Sequence, residues 1–166
     1  PYSITGIDIS NEAVNLCSKF YDVPNLNFLY GDSENIPFSD NSFDVLINIE
    51  SSHCYGDMSK FLSEAYRTLK KDGFFLFCDF RTLDGLQELY DKLSSSDFKF
   101  LNRIDITSNI IQGLDKLSEY REDQIDKSVS IFIKKLFKTY AGIKGTEIYN
   151  SFANNSMVYI CAILKK

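Results

Sequence analysis

Ser3–Asp8 reads SITGID, and Ile9-Ser10 follow at once. A short apolar run ends in a carboxylate and passes directly into a helical pattern. In an open α/β sheet, that order presents an acidic side chain at the carboxyl end of a strand, the edge where such sheets bind ligands. A carboxylate accepts from two hydroxyl donors at once, as on a ribose. It also caps the next helix, so the stretch alone leaves both readings open.

Working outward, the chain repeats the pattern. Ser10 opens a helix to about Phe20, with Val14, Leu16, Cys17, Phe20 and Tyr21 near one face, and Pro24-Asn25 break it. Leu26–Tyr30 predicts a second strand ending in Gly31-Asp32; Ser33–Asn41 is a polar loop containing Pro37. Phe43–Ile49 is nearly all apolar, as a buried parallel strand is. Asp57 starts a helix with a face of Phe61, Leu62, Ala65 and Leu69, closed by Lys70, Lys71 and Gly73. Phe74–Cys78 is a fourth strand ending in Asp79. Strands alternating with helices imply a parallel sheet. Beyond Asp79 a helix is expected at Leu83–Leu93 and a strand at Phe98–Ile106. Two helices follow, Thr107 to about Tyr120 and Glu122–Tyr140, then a last strand at Met157–Leu164. The two helices before the last strand read as a lid, about residues 107–140.

Composition narrows the function. The chain has 166 residues, is 44% hydrophobic and 14% aromatic, and carries a net charge of −5. That suits one globular domain over 1–166, with a core fragment at 1–82 and the C-terminal strands and lid at 83–166. An acidic chain without a long basic block points away from nucleic acid and anionic membranes, and Lys134, Lys135 and Lys138 read as a solvated helix face. Cys17, Cys54, Cys78 and Cys161 are widely spaced beside one histidine. That pattern argues against a metal site or a disulfide framework and for a reducing, cytoplasmic setting, with Cys54 and Cys78 as small core residues. No run of 18 apolar residues suggests a membrane span.

Asp8, Asp32 and Asp79 fall at or just beyond three strand ends, Glu50 follows another, and His53 lies beside them. Along one edge of a parallel sheet these form a ligand site. Imidazole titrates near pH 6.5 when unperturbed, which suits His53 to general base work on a hydroxyl.

These residues carry a family resemblance. TGIDIS, GDSENIPF (Gly31–Phe38), SFDVLINIESSHCY (Ser42–Tyr55) and LSEAYRTLKKDGFFLFCDFR (Leu62–Arg81) together resemble the class I S-adenosylmethionine-dependent methyltransferases. The resemblance implies a Rossmann-like, doubly wound, mostly parallel α/β sheet. It implies that Asp8 binds the ribose hydroxyls, Ile9 packs on adenine, Asp32 and the Ser33 N–H meet the adenine edge, and Glu50 lines the cofactor site. It implies His53 as base with Asp79 as its orienter, and Tyr55 in the acceptor pocket. Ile104–Ile110, Ala141–Tyr149 and Met157–Lys166 are similar to methyltransferases acting on hydroxyls of polyketide-derived lipids and related small molecules.

The sequence departs from the family at Lys71-Asp72, where Pro-Gly is usual. The family's first strand and glycine-rich turn would precede Tyr2. The expectation is therefore a fragment, inactive by itself, with an unfilled place beside Ser3–Asp8 that invites a partner chain (a second copy included), a swapped strand or an altered strand order. The rival expectation is a non-catalytic interaction protein on this scaffold. A nicotinamide-binding fold suits Gly31-Asp32 and the Pro37-Phe38 loop less well.

Overall fold

Asp8 ends the first strand and starts the first helix with the same side chain. Its Oδ1 accepts the Ser10 N–H at 2.8 Å, and Ser10 Oγ accepts from the Ala13 N–H at 3.2 Å. Strand β1 (Ile4–Asp8) thus turns directly into α1 (Asn11–Phe20). The structure, a computed structural model describing residues 1–166, continues with β2 (Leu26–Tyr30), β3 (Phe43–Ile49), a 3-10 turn (Ser52–Cys54), α2 (Met58–Thr68), β4 (Leu69–Thr82), α3 (Leu83–Ser95) and β5 (Lys99–Asp105). It ends with α4 (Thr107–Ser128), α5 (Lys134–Tyr140), α6 (Glu147–Ala153) and β6 (Met157–Lys165).

The strands form two sheets. β1 and β2 pair in parallel, and a separate four-stranded sheet has the order β3-β4-β6-β5. β4 runs parallel to β3, and β6 runs antiparallel to both its neighbours. β3, β4 and β5 therefore point one way and the final strand the other, as the Rossmann-like reading requires. β1 pairs only with β2 and β3 only with β4, so the sheet is not continuous between them.

The core lies on one face of the larger sheet. α2 presents Met58, Phe61, Leu62 and Ala65 at helical spacing, and α3 adds Leu89 and Leu93. They pack on Phe75 and Phe77 of β4, on Val158, Ile160, Ala162 and Leu164 of β6, and on Phe98. The opposite face is covered only near its end, where Phe152 of α6 meets Phe80 and Tyr159.

Several expectations need correction. Phe43–Ile49 is not buried on both sides: Ile47 is 62% exposed and Ile49 60%, because nothing lies over that face of β3. The strand after α2 starts earlier and ends later than Phe74–Cys78, so Asp79 sits inside β4. Gly73 sits in the irregular stretch of β4 where its register against β3 shifts: a Cβ on it would stand 2.8 Å from the Lys70 carbonyl oxygen, beside an Asp72 at φ +64°. The break between lid helices comes at Val129–Ile133, not near Arg121, and a third helix, α6, follows. Cys78 and Cys161 are cross-strand partners, with Cα atoms 4.2 Å apart, and are joined as a disulfide.

Candidate active site

Asp79 is a fully buried carboxylate surrounded by donors. Its Oδ1 accepts from His53 Nδ1 at 2.8 Å and from the Phe80 N–H at 2.9 Å. Its Oδ2 accepts from Ser52 Oγ at 2.6 Å, from the His53 N–H at 3.0 Å, and faces Arg81 Nη1 at 3.1 Å. Burial works to raise this carboxyl. The hydrogen bonds from Ser52, His53 and the Phe80 N–H, with the charge of Arg81, outweigh it and hold the group below its ordinary value. Because an ionised carboxylate only accepts, the imidazole carries its hydrogen on Nδ1, and Nε2 holds the free lone pair. The ring lies 4.4 Å from the Phe80 ring and remains partly exposed.

β3 and β4 bring these groups together. Ile49 pairs with Cys78, so the chain leaving β3 passes beside Asp79 on the next strand and delivers Ser52 and His53 to it. Arg81 lies two residues beyond Asp79, on the same face of β4. That spacing is visible in the sequence but was not read as a signal; Ser52 and Arg81 were missed.

Asp8 and Asp32 stand together at the end of the β1–β2 pair, where the Gly31 N–H donates to the Asp8 carbonyl at 3.0 Å. A Cβ on Gly31 would stand 3.1 Å from Pro37 and 3.2 Å from the Ile7 side chain, so glycine lets the loop fold back there. Asp32 Oδ1 accepts from the Glu34 N–H at 2.8 Å. The loop is then stitched to α2. Glu34 Oε1 accepts from the Gly56 and Asp57 N–H groups at 2.8 and 3.0 Å, and Glu64 Oε2 accepts from the Ile36 N–H at 2.8 Å. Arg67 donates to the Ile36 and Phe38 carbonyls at 2.9 and 2.8 Å. None of these anchoring residues was singled out in the sequence.

The other named residues have definite places. Glu50 leaves β3 at φ +50° and accepts from the Tyr159 hydroxyl at 2.9 Å. Burial first, then the hydrogen bond to Glu50, pushes the Tyr159 phenol well above its ordinary value. Ile9 is exposed and Ser33 half-buried. Tyr55 is held at both ends: its hydroxyl bonds Asn48 Nδ2 at 2.6 Å and Ser51 Oγ at 2.7 Å, and its ring packs on Phe61. Two shallow clefts lie elsewhere, between α2 and α3 and along α1 and β2.

The residues fit the adenosine half of S-adenosylmethionine. Asp8 and Asp32 each spend one oxygen on a backbone N–H and keep the other without a protein partner, on neighbouring strand ends. Those free acceptors match ribose hydroxyls and an exocyclic amine.

The chain is similar to known methyltransferases. The family described as Methyltransferase domain matches residues 1–77. Over 159 residues the chain is 31% identical to phthiotriol/phenolphthiotriol dimycocerosates methyltransferase of Mycobacterium tuberculosis, covering 96% of this chain and 59% of that protein. It is 27% identical over 159 residues to fatty-acid O-methyltransferase of Mycolicibacterium smegmatis, covering 96% of this chain and 57% of that one. The chain thus spans less than two thirds of the length of these relatives. A Haemonchus contortus N-methyltransferase, solved with phosphomonomethylethanolamine and S-adenosylhomocysteine, superposes with a TM-score of 0.82 at 15% identity, covering 99% of this chain and 44% of that one. Residues 1–77 match the methyltransferase domain family in sequence, and the chain as a whole takes the class I methyltransferase fold.

Proposed function

We propose that this chain serves an S-adenosylmethionine-dependent methyltransferase activity on a hydroxyl oxygen of a lipid-like acceptor. The observation that carries the reading is the hydrogen bond of 2.8 Å between His53 Nδ1 and the buried Asp79 carboxylate. It leaves Nε2 as a free base on a partly exposed ring at the ligand edge of the sheet. S-adenosylmethionine supplies a sulfonium-bound methyl group that is already electrophilic. What remains for the protein is to hold the acceptor in line and to take its proton.

In this reading Nε2 of His53 accepts the hydroxyl proton as the oxygen–carbon bond forms. The Nδ1–H stays on Asp79, whose charge stabilises the resulting imidazolium. Asp8, Ile9, Asp32 and Ser33 hold the adenosine, and Glu50, fixed by Tyr159, lines the space between the two groups. The relatives' names support a lipid-like acceptor, one of them naming a fatty acid and another phthiotriol dimycocerosates. The dyad favours a hydroxyl over a carboxylate, because a carboxylate is already ionised at neutral pH and needs no base.

The test is single-turnover methyl transfer by the intact protein. His53→Ala is expected to slow transfer to a hydroxyl acceptor about a hundredfold or more, with cofactor affinity unchanged. Asp8→Ala is expected to do the reverse, weakening cofactor binding by about 1–3 kcal/mol through unpaired ribose hydroxyls. A His53→Ala rate within about threefold of the parent, well short of general base magnitude, overturns the base assignment. Unchanged affinity in Asp8→Ala overturns the cofactor assignment.

A further inference from the structure

Asp79 does more than meet His53. Both its oxygens are saturated, and the second is gripped by a pair of side chains that do not touch the imidazole. Ser52 Oγ donates to Oδ2 at 2.6 Å and itself accepts from Arg81 Nη2 at 2.7 Å. Arg81 Nη1 faces the same Oδ2 at 3.1 Å and donates to the Phe80 carbonyl at 2.6 Å. Ser52 is buried, and the Arg81 side chain is 14% exposed. A guanidinium held this closely must be balanced, and Asp79 is the acid within reach.

We propose that Ser52 and Arg81 are positioning residues for His53: through Oδ2 of Asp79 they fix which carboxylate oxygen faces Nδ1, and Arg81 balances the carboxylate charge so that the imidazole stands neutral with Nε2 free. The inference rests on the reading of His53 as the base.

The argument is electrostatic and geometric. A buried carboxylate without a counter-ion draws the nearest titratable base into the charged form. Here that base is His53, and a protonated imidazole accepts nothing from an acceptor hydroxyl. Arg81 is charged at every working pH, so it satisfies Asp79 without consuming the imidazole. The other ionisable groups linked to this cluster are already engaged: Glu50 holds the Tyr159 hydroxyl, and Tyr159 stacks toward Phe80. Ser52 adds direction: its oxygen accepts from Arg81 Nη2 and its one hydrogen goes to Oδ2. With Oδ2 held in this way, Oδ1 is the oxygen that meets Nδ1, at 2.8 Å.

Nitrogen-15 NMR of the His53 imidazole in the intact protein tests this without turnover, its signals being identified by their loss in His53→Gln. The parent is expected to show the Nδ1–H form as its neutral tautomer. Arg81→Gln is expected to move the titration midpoint up by about one pH unit, the scale of one nearby charge, and Arg81→Lys to bring most of it back. Ser52→Ala is expected to keep the fold by circular dichroism and to mix the two neutral tautomers. If Arg81→Gln fails to fold, Ser52→Ala decides. Midpoint and tautomer unchanged in the folded variants overturn the proposal. Because the readout is the imidazole itself, these shifts together with an active His53→Ala enzyme sink the base reading and leave the coupling standing. A slow His53→Ala enzyme with unmoved signals does the opposite.

Discussion

The β1–α1–β2 segment and the β3–β6 sheet are built from the same kind of sequence and end in different physical states. β1, α1 and β2 contain no fully buried residue, whereas β4 alone buries Leu69, Phe75 and Phe77 completely or nearly so. Both regions have short apolar strands followed by capped helices. They differ in what lies over them. α2 and α3 close one face of the larger sheet, whereas α1 lies against the two-stranded pair without fully burying any residue of it or of itself. Burial is therefore not a property of an apolar strand but of the layer that covers it, and Ile47, exposed at 62% within the better-packed sheet, makes the same point. The division is also chemical. The carboxylates with a free oxygen, Asp8 and Asp32, belong to the open region, and the hydrogen-bonded pair of His53 and Asp79 to the packed one.

The comparison breaks most visibly under core truncation. Phe75→Ala, at a site with no exposure, is expected to cost about 3–5 kcal/mol in urea unfolding. Leu29→Ala, at a β2 site 45% exposed, is expected to cost less than about 1 kcal/mol. Equal losses would mean that the two regions share one core.

Acid titration sharpens it next. The Asp79 carboxyl is held below its unfolded value near 3.9, so its contribution is complete above that value and is lost as pH falls through the lower folded value. Unfolding followed from pH 6 to 2 should show this loss in the parent. Asp79→Asn should lack it and be less stable at neutral pH, since Arg81 then faces no charge. A parent and variant with identical acid profiles would remove Asp79 from the account of stability.

The smallest expected effect concerns the join. Glu34, Glu64 and Arg67 tie the Asp32 loop to α2, and Arg67→Gln removes donors to two loop carbonyls. Its cost is expected at about 1–3 kcal/mol, with faster amide exchange in residues 32–40 than in β4. Exchange that rises equally in both would show that Arg67 supports the core and not the loop.

Much of the candidate site was legible because it depends on local rules. Asp8 after SITGID, Asp32 after Gly31 and the lone His53 after an apolar strand are each read from a few neighbouring residues, and strand ends on one sheet edge follow from parallel alternation. The His53–Asp79 pairing was reached in the same way, through adjacent strand ends, and the structure puts the two groups in hydrogen-bond contact. Arg81 shares a strand face with Asp79, but an arginine at that place in a sequence carries no local sign of a contact. Glu64 and Arg67 carry none either, since the loop they hold lies 28 to 31 residues away.

Local chemistry, then, was enough for the alternation of strands and helices, the caps at Ser10 and Asp57, the parallel core, and the carboxylates along one edge. These follow from spacing over a turn or a strand. Only the tertiary structure decided which faces are covered, where the lid helices break, that Cys78 meets Cys161 across 83 residues, and that Asp79 is shared among His53, Ser52 and Arg81. Those outcomes depend on which distant segments approach, and residue order constrains that approach only through the packing of the whole chain.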